Sequence, residues 1–387
     1  MELEKCKHSN DCGGCIYQGV PYQEQLELKA KLVLNLLKEN NITYDRFLGI
    51  EGSPKQFRYR NKMEYTFGDE EKGGEMTLGL HKLGRFMSII TTDQCQLVDD
   101  DFNKVLRKTL SFCKEKGYPF YHKKTHKGLM RHLVLRKGEN TKELLINIIT
   151  TTQAEFDREA YVKAIEEIEL ENLHIVGILH TENDRLSDAV NCDRMTILKG
   201  RDYYNEELLG LTFKVSAFSF FQPNVLATEK IYTEAISMID DLNGKTVFDL
   251  YSGTGTISQA IARSAKQVIG IEIVEEAVEA AKENAKINGL DNCKFIAGDV
   301  LKVLDEIEEK PDCIVMDPPR SGIVPKALNK ILKYGVNQTV YVSCNPKTMA
   351  QNLATAIEQG YKVNSVKVFD NFPNTKHVET VALMSKK

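Results

Sequence analysis

The chain has 387 residues, is 42% hydrophobic and 27% charged, and carries a formal net charge of −4. That composition belongs to an ordinary globular protein with room for two or three domains, and it excludes a disordered or uniformly basic chain. The opening MELEKCKHSN lacks the apolar core of a signal peptide, and no run is long enough to span a bilayer, so the expectation is a cytoplasmic protein without a membrane partner.

Nine cysteines, an odd number in a chain without an export signal, argue against a disulfide framework and for metal binding or catalysis. The first three form a C-x5-C-x2-C array at Cys6, Cys12 and Cys15. Such spacing suits thiolate ligation of one centre, and four ligands are usual for zinc or iron–sulfur. Spacing leaves the fourth open among Cys95, Cys113 and Cys192.

Next comes YQEQLELKAKLVLNLLKEN, apolar at helical spacing, and then two basic stretches. SPKQFRYRNK (53–62) carries Lys55, Arg58, Arg60 and Lys62 without an acid, and YHKKTHKGLMRHLVLRK (121–137) carries six Lys/Arg and three His. Basic runs with interleaved aromatics fit a surface that contacts nucleic-acid phosphates. LVLR, ELLINIIT and HIVGILH read as strands, so residues 1–205 are expected to form an α+β domain.

From about residue 243 the pattern becomes regular. TVFDLYS, QVIGIEI, CKFIAGD, CIVMDPP and TVYVSC are strand-like runs separated by helical segments, which predicts a parallel, doubly wound sheet. YKVNSVKVFD and HVETVALM come last, with only NFPNTK between them, too short for a crossover, so these two strands are expected to pair antiparallel. Residues 206–387 thus have the pattern of a class I methyltransferase, an α/β fold with a Rossmann-like sheet.

Within that half, VFDLYSGTGTIS runs from strand through Gly-x-Gly into helix, but Ser258 stands where a dinucleotide fingerprint has its third glycine. Glu272 ends the next strand, placed to take a ribose diol; Asp299 ends the following one, within reach of an adenine; Asp317 opens DPPR after the fourth. A nucleoside ligand without a pyrophosphate, such as S-adenosylmethionine, fits these acids. Helix capping is the alternative use of each.

FSFFQPN, DLYSGTG, DPPRSG, VSCNP and FPNTKHVE occur in this order over essentially the whole chain, and with them the sequence resembles the RNA uracil-C5 methyltransferases. The resemblance implies that Gln222, Tyr251, Thr256, Glu272, Asp299 and Asp317 bind S-adenosylmethionine, that Cys344 is the nucleophile and that Glu379 is the base. It also selects Cys95 as the fourth cluster ligand and a 4Fe–4S cluster as the centre, with zinc the alternative. Arg320 is a candidate contact to phosphate or base. A branch without the small N-terminal β-barrel RNA-binding domain, acting on 23S rRNA in preference to tRNA, is the expectation, with no obligate protein partner. Two rival readings are amino-group methylation of a base, which needs no cysteine, and an iron–sulfur RNA-binding protein without methyltransferase activity.

Overall fold

The computed structural model describes residues 5–387. In chain order, α1 (Tyr22–Glu39) and β1 (Tyr44–Glu51) precede β2 (Lys62–Asp69), β3 (Met76–Lys82), β4 (Arg85–Thr91), α2 (Asp100–Glu115), β5 (Met130–Lys137), β6 (Glu143–Thr150), α3 (Arg158–Glu166), β7 (His174–Glu182) and β8 (Arg194–Gly200). The hairpin β9 (Tyr203–Leu208) and β10 (Leu211–Ser216) leads to α4 (Val225–Ser237). The remaining elements are β11 (Thr246–Leu250), α5 (Thr256–Ala262), β12 (Gln267–Glu272), α6 (Glu275–Ile287), β13 (Cys293–Ala297), α7 (Val300–Glu306), β14 (Cys313–Met316), α8 (Pro325–Lys333), β15 (Gln338–Ser343), α9 (Pro346–Glu358), β16 (Tyr361–Phe369) and β17 (Glu379–Lys386).

These elements form two compact units. The first comprises the segments Met1–Gly19, Lys55–Glu206 and Val215–Phe218; the second comprises Val20–Pro54, Glu207–Lys214 and Ser219–Lys387. The second unit therefore takes in α1 and β1, which chain order alone assigns to the N-terminal half.

The first unit is built on a seven-stranded sheet, ordered β4-β3-β2-β5-β6-β7-β8. Its central strands are covered on both faces: every residue of β5 is buried, including the polar ones. This takes the 130–137 half of the basic stretch out of any phosphate-contacting surface, while Lys124 and Lys127 stay exposed. Arg131, His132, Arg136 and Lys137 are inside the unit, where Arg131 donates to the carbonyls of Asn183, Arg185 and Ser187 and Arg136 to those of Ser216 and Ala217. In 53–62, Lys55 pairs with Glu139, Arg58 with Asp100 and Lys62 with Glu64. Burial and internal pairing consume much of the basic charge that the sequence displays.

The second unit carries an eight-stranded sheet, ordered β1-β16-β17-β15-β14-β11-β12-β13. Strands β11 to β15 are parallel, and β17 runs antiparallel between β15 and β16, as expected for the two closing strands. The inward face of α1 is not purely apolar, as its periodicity would suggest. Its buried positions include Leu26, Val33 and Leu37, but also Gln25 and Lys29. The polar pair serves the loop after β16: Lys29 Nζ lies 2.5 Å from Asp370 Oδ1 and donates to Phe372 O at 3.0 Å, while Gln25 Oε1 accepts from Asn374 N at 2.8 Å. Among the described residues, no helix is long and apolar enough to cross a membrane.

Because both charges of the Lys29–Asp370 pair are fully buried, removing one strands the other. Lys29→Met is expected to lower stability by about 3–5 kcal/mol, and Lys29→Met/Asp370→Asn to recover at least half of that loss, read from urea unfolding midpoints. Equal midpoints for wild type and Lys29→Met would contradict a structural role for the pair.

Candidate active site

The loop after β11 is shaped by three residues with left-handed backbone, Tyr251 (φ 69), Gly253 (φ 54) and Gly255 (φ 75). Gly255 starts α5, and a Cβ there would lie 2.7 Å from the Phe295 ring, so only glycine lets the loop pass so close. Tyr251 N and Ser252 N both donate to Ile271 O, at 2.9 and 3.0 Å. Glu272, at the end of β12, completes the staple: Oε2 accepts from Gly253 N and Oε1 from Val274 N, each at 3.0 Å. Asp299 caps α7, accepting from Leu301 N at 2.8 Å, so the capping use left open by the sequence is present at that position.

Two more carboxyls stand at the same strand ends. Asp317 is pushed up to about 7 by burial. Asp249, wholly buried within β11, is pushed to about 7 by burial first, with Asp317 and Glu272 adding to it and the Ser258 hydroxyl opposing. One Asp249 oxygen and the Ser252 hydroxyl are buried without a hydrogen-bond partner. Acids forced toward neutrality beside orphaned polar atoms are suited to a ligand that brings positive charge and hydrogen-bonding groups. Nearby, the buried phenol of Tyr232 lies 3.1 Å from Thr256 Oγ1 and also meets the Gln222 side chain, with Asp317 close enough to raise its pKa after burial. Gln222, Thr256 and Asp317 thus gather around one hydroxyl. Asp249 and Tyr232 were missed in the sequence; the signal for Asp249 was an acid in the middle of an otherwise apolar strand.

The second half of the site comes from β15 and β17. Their register pairs Ser343 with Thr380, so the next residues outward, Cys344 and Glu379, face each other across the strand ends. Cys344 is held by its neighbours in the turn into α9. Ser343 Oγ and the Asn345 backbone make mutual hydrogen bonds at 3.1 Å, and Asn345 caps α9 with Oδ1 while its Nδ2 donates to Arg320 O at 2.7 Å. Asn345 therefore fixes the loop that carries Cys344. The Asn-Pro pair after the cysteine ends the strand and starts the helix at once.

Burial pushes the Cys344 thiol to about 11, with Glu379 and Asp317 adding to the rise and a hydrogen bond from Arg320 opposing it. Glu379 is raised well above the usual carboxylate range by burial and then by Asp317, against the influence of Asn371 and Arg320. The guanidinium of Arg320 thus acts on the cysteine and the glutamate together, a role the sequence did not disclose.

In the first unit, Cys6, Cys12, Cys15 and Cys95 line one small cavity. Cys113 is packed in the core, and Cys192 lies beside Asp193 and Arg185. Cys95 is fixed by Asn103, which accepts from its N–H at 3.1 Å and donates to its carbonyl at 3.2 Å. Burial, followed by the charges of Cys95, Cys12 and Cys6, pushes Cys15 to about 12. Among the described residues, no three or more His, Cys, Asp or Glu side chains are gathered around a single metal-ion position.

The doubly wound sheet with its glycine loop and strand-end acids defines the second unit as a class I methyltransferase fold. The family model for tRNA (Uracil-5-)-methyltransferase matches residues 160–387. A Clostridium tetani protein described as an uncharacterized RNA methyltransferase is 51% identical over 383 residues, 99% of this chain and 84% of its own. One from Caldanaerobacter subterraneus subsp. tengcongensis is 51% identical over 387 residues, 100% of this chain and 86% of its own. The solved structure of Pyrococcus abyssi tRNA (uracil-54, C5)-methyltransferase in complex with S-adenosyl-L-homocysteine superposes with a TM-score of 0.79 at 25% identity, covering 96% of this chain and 86% of that one. The chain belongs to the uracil-5 RNA methyltransferase family and is an RNA methyltransferase.

Only a thiolate alkylates rapidly, so a thiol held near 11 reacts about tenfold faster for each pH unit gained below that value. Carboxymethylation of Cys344 by iodoacetate, followed by peptide mass spectrometry from about pH 6 to 9, is expected to show that slope, and Arg320→Met to react several-fold more slowly at each pH. A plateau by about pH 7 would contradict the electrostatics described for this thiol.

Proposed function

We propose that the protein transfers a methyl group from S-adenosylmethionine to carbon 5 of a uridine in RNA, through covalent addition of Cys344 to carbon 6 of the ring. The observation that carries this reading is the juxtaposition of Cys344 and Glu379 at adjoining strand ends, with Asp317 and Arg320 acting on both.

Carbon 5 of uracil is too weak a nucleophile to take a methyl group unaided. Addition of the Cys344 thiolate to carbon 6 forms a C–S bond and moves the ring electrons into an enolate, which activates carbon 5. Arg320, already hydrogen-bonded to the thiol, favours the thiolate needed for that addition. S-adenosylmethionine supplies an electrophilic methyl on a sulfonium; Gln222, Tyr251, Thr256, Glu272, Asp299 and Asp317 would hold it, and its positive charge suits the acids that burial now drives toward neutrality. Once carbon 5 has taken that methyl from the sulfonium sulfur, leaving S-adenosylhomocysteine, Glu379 takes the carbon 5 proton, the bond between Cys344 and carbon 6 breaks, and the thiolate of Cys344 is restored. Burial raises the proton affinity of Glu379, which favours that transfer. A uridine must leave its stack for both ring faces to be reached, so a single-stranded or flipped nucleotide is the substrate form.

We assign 23S rRNA as the substrate class, on the cysteine set whose four members share a cavity. A 4Fe–4S cluster held by Cys6, Cys12, Cys15 and Cys95 is proposed for that cavity, since thiols clustered around one cavity need positive charge to be deprotonated together. The likeness to the Pyrococcus abyssi enzyme favours tRNA as the second reading.

The test uses transcripts of 23S rRNA and of tRNA containing 5-fluorouridine. Fluorine at carbon 5 cannot leave as a proton, so a denaturation-resistant adduct mapping to Cys344 is expected with the 23S transcript and none with Cys344→Ala. An adduct with tRNA alone would move the assignment to tRNA. Methylation by Cys344→Ala at the wild-type rate would contradict covalent catalysis. For the cluster, protein purified without oxygen is expected to contain about four iron and four acid-labile sulfide per chain, and Cys95→Ser to lose both; stoichiometric zinc instead would contradict it.

A further inference from the structure

We infer that Asn371 is a positioning residue for Glu379, its side-chain amide serving as the hydrogen-bonding partner that holds the carboxyl in line for the carbon 5 proton. The inference rests on the proposed role of Glu379 as the base.

Strand β16 ends at Phe369, which is paired with Glu379 in the antiparallel ladder. Asn371 lies two residues beyond that pairing and is only 1% exposed. Both polar atoms of its amide are buried without a hydrogen-bond partner of good geometry. An unpaired buried amide is unfavourable, and an apolar side chain of the same size would fill the position without that penalty. Its position is also fixed with unusual thoroughness. The Asn371 carbonyl accepts from Asn224 Nδ2 at 3.0 Å, and Asn224 caps α4. Before it, Asp370 N donates to Glu51 O at 2.9 Å and the Asp370 carboxylate meets Lys29. After it, Phe372 O and Asn374 N are bound by Lys29 and Gln25. The polar face of α1 therefore has a purpose: it grips the main chain on both sides of Asn371 and holds in place the backbone from which the side chain reaches its neighbour.

That neighbour is Glu379, whose charged form the Asn371 amide favours. An amide fits a general base in both of its states. Its N–H donates to the carboxylate before proton transfer, and its carbonyl accepts the O–H afterwards. The other charged or titratable groups that bear on Glu379 are Asp317, Arg320 and Cys344, and none combines donor and acceptor in this way. The amide is a partner kept in reserve for the carboxylate that the reaction requires.

The full chain and its Asn371→Leu and Asn371→Ser variants are incubated with S-adenosylmethionine labelled in the methyl group and an unmodified 23S rRNA transcript, with tRNA transcripts in parallel. Losing a hydrogen bond to a charged group is expected to slow release of 5-methyluridine RNA about tenfold in Asn371→Leu. Methylated protein–RNA adduct should accumulate, because methyl transfer precedes the proton step, and the acid limb of the release rate should move up by about one pH unit because Glu379 loses a group that favours its charge. Asn371→Ser, which retains a hydroxyl and leaves room for water, should fall between the two. Wild-type release, adduct level and pH limb in a folded Asn371→Leu, or in Asn371→Ser if the leucine variant does not fold, would overturn the inference. The two levels of failure are distinguishable. Wild type that forms no adduct with 5-fluorouridine RNA overturns the covalent reading and this inference with it; wild type that is trapped beside unaffected variants overturns the positioning role alone.

Discussion

The register of one antiparallel strand in an otherwise mainly parallel sheet is the constraint on which the site depends. Strand β17 lies between β15 and β16, and pairing Ser343 with Thr380 sets Cys344 against Glu379. Side chains alternate faces along a strand, so a slip of β17 by one residue would send Glu379 to the opposite side of the sheet from Cys344. The main-chain ladder therefore does what no local motif can do, which is to bring together the thiol and the carboxyl proposed as nucleophile and base. The other fixtures serve that register: Asn345 turns the chain sharply into α9, and α1 fastens the loop that returns β16 to β17.

Burial then sets the chemistry. Asp249, Asp317, Cys344 and Glu379 are all driven toward their neutral forms by desolvation, and Asp317 raises the other three further. Arg320 is the countercharge at the cysteine end. A positively charged cofactor beside these acids would favour their charged forms, and with them the states that the proposed reaction uses.

Much of this was legible in the sequence, and the physical reasons differ by region. Strands β11 to β17 announce themselves because each is a short apolar run closed by a turn or a functional acid, and the gap after Phe369 is too short for a crossover. The cofactor-loop residues are legible because glycine is the residue that tolerates the left-handed backbone there. Strand β1 was not legible, since YDRFLGIE is a half-exposed edge strand whose partner lies at the far end of the chain. The 130–137 half of the second basic stretch misled, because a charge run looks the same whether its guanidinium groups meet solvent or internal carbonyls. Asp249 opens the DLYSGTG motif without being marked out by it, and Tyr232 and Asn371 lie in none of the motifs; each becomes visible only through its burial and its neighbour. Among the cysteines, spacing could name three, the resemblance added Cys95, and the fold places all four along one cavity.

The central claim is that a proton leaves carbon 5 as a methyl group takes its place. The most direct measurement supplies the enzyme with S-adenosylmethionine carrying a carbon-14 methyl group and 23S rRNA or tRNA transcripts tritiated at carbon 5 of uridine, and counts both labels as the reaction proceeds. One tritium released to water for each methyl incorporated, with both events lost in Cys344→Ala, is the expected result. Methyl incorporation with the tritium retained would place the methyl elsewhere on the RNA and contradict the assignment of Cys344 and Glu379.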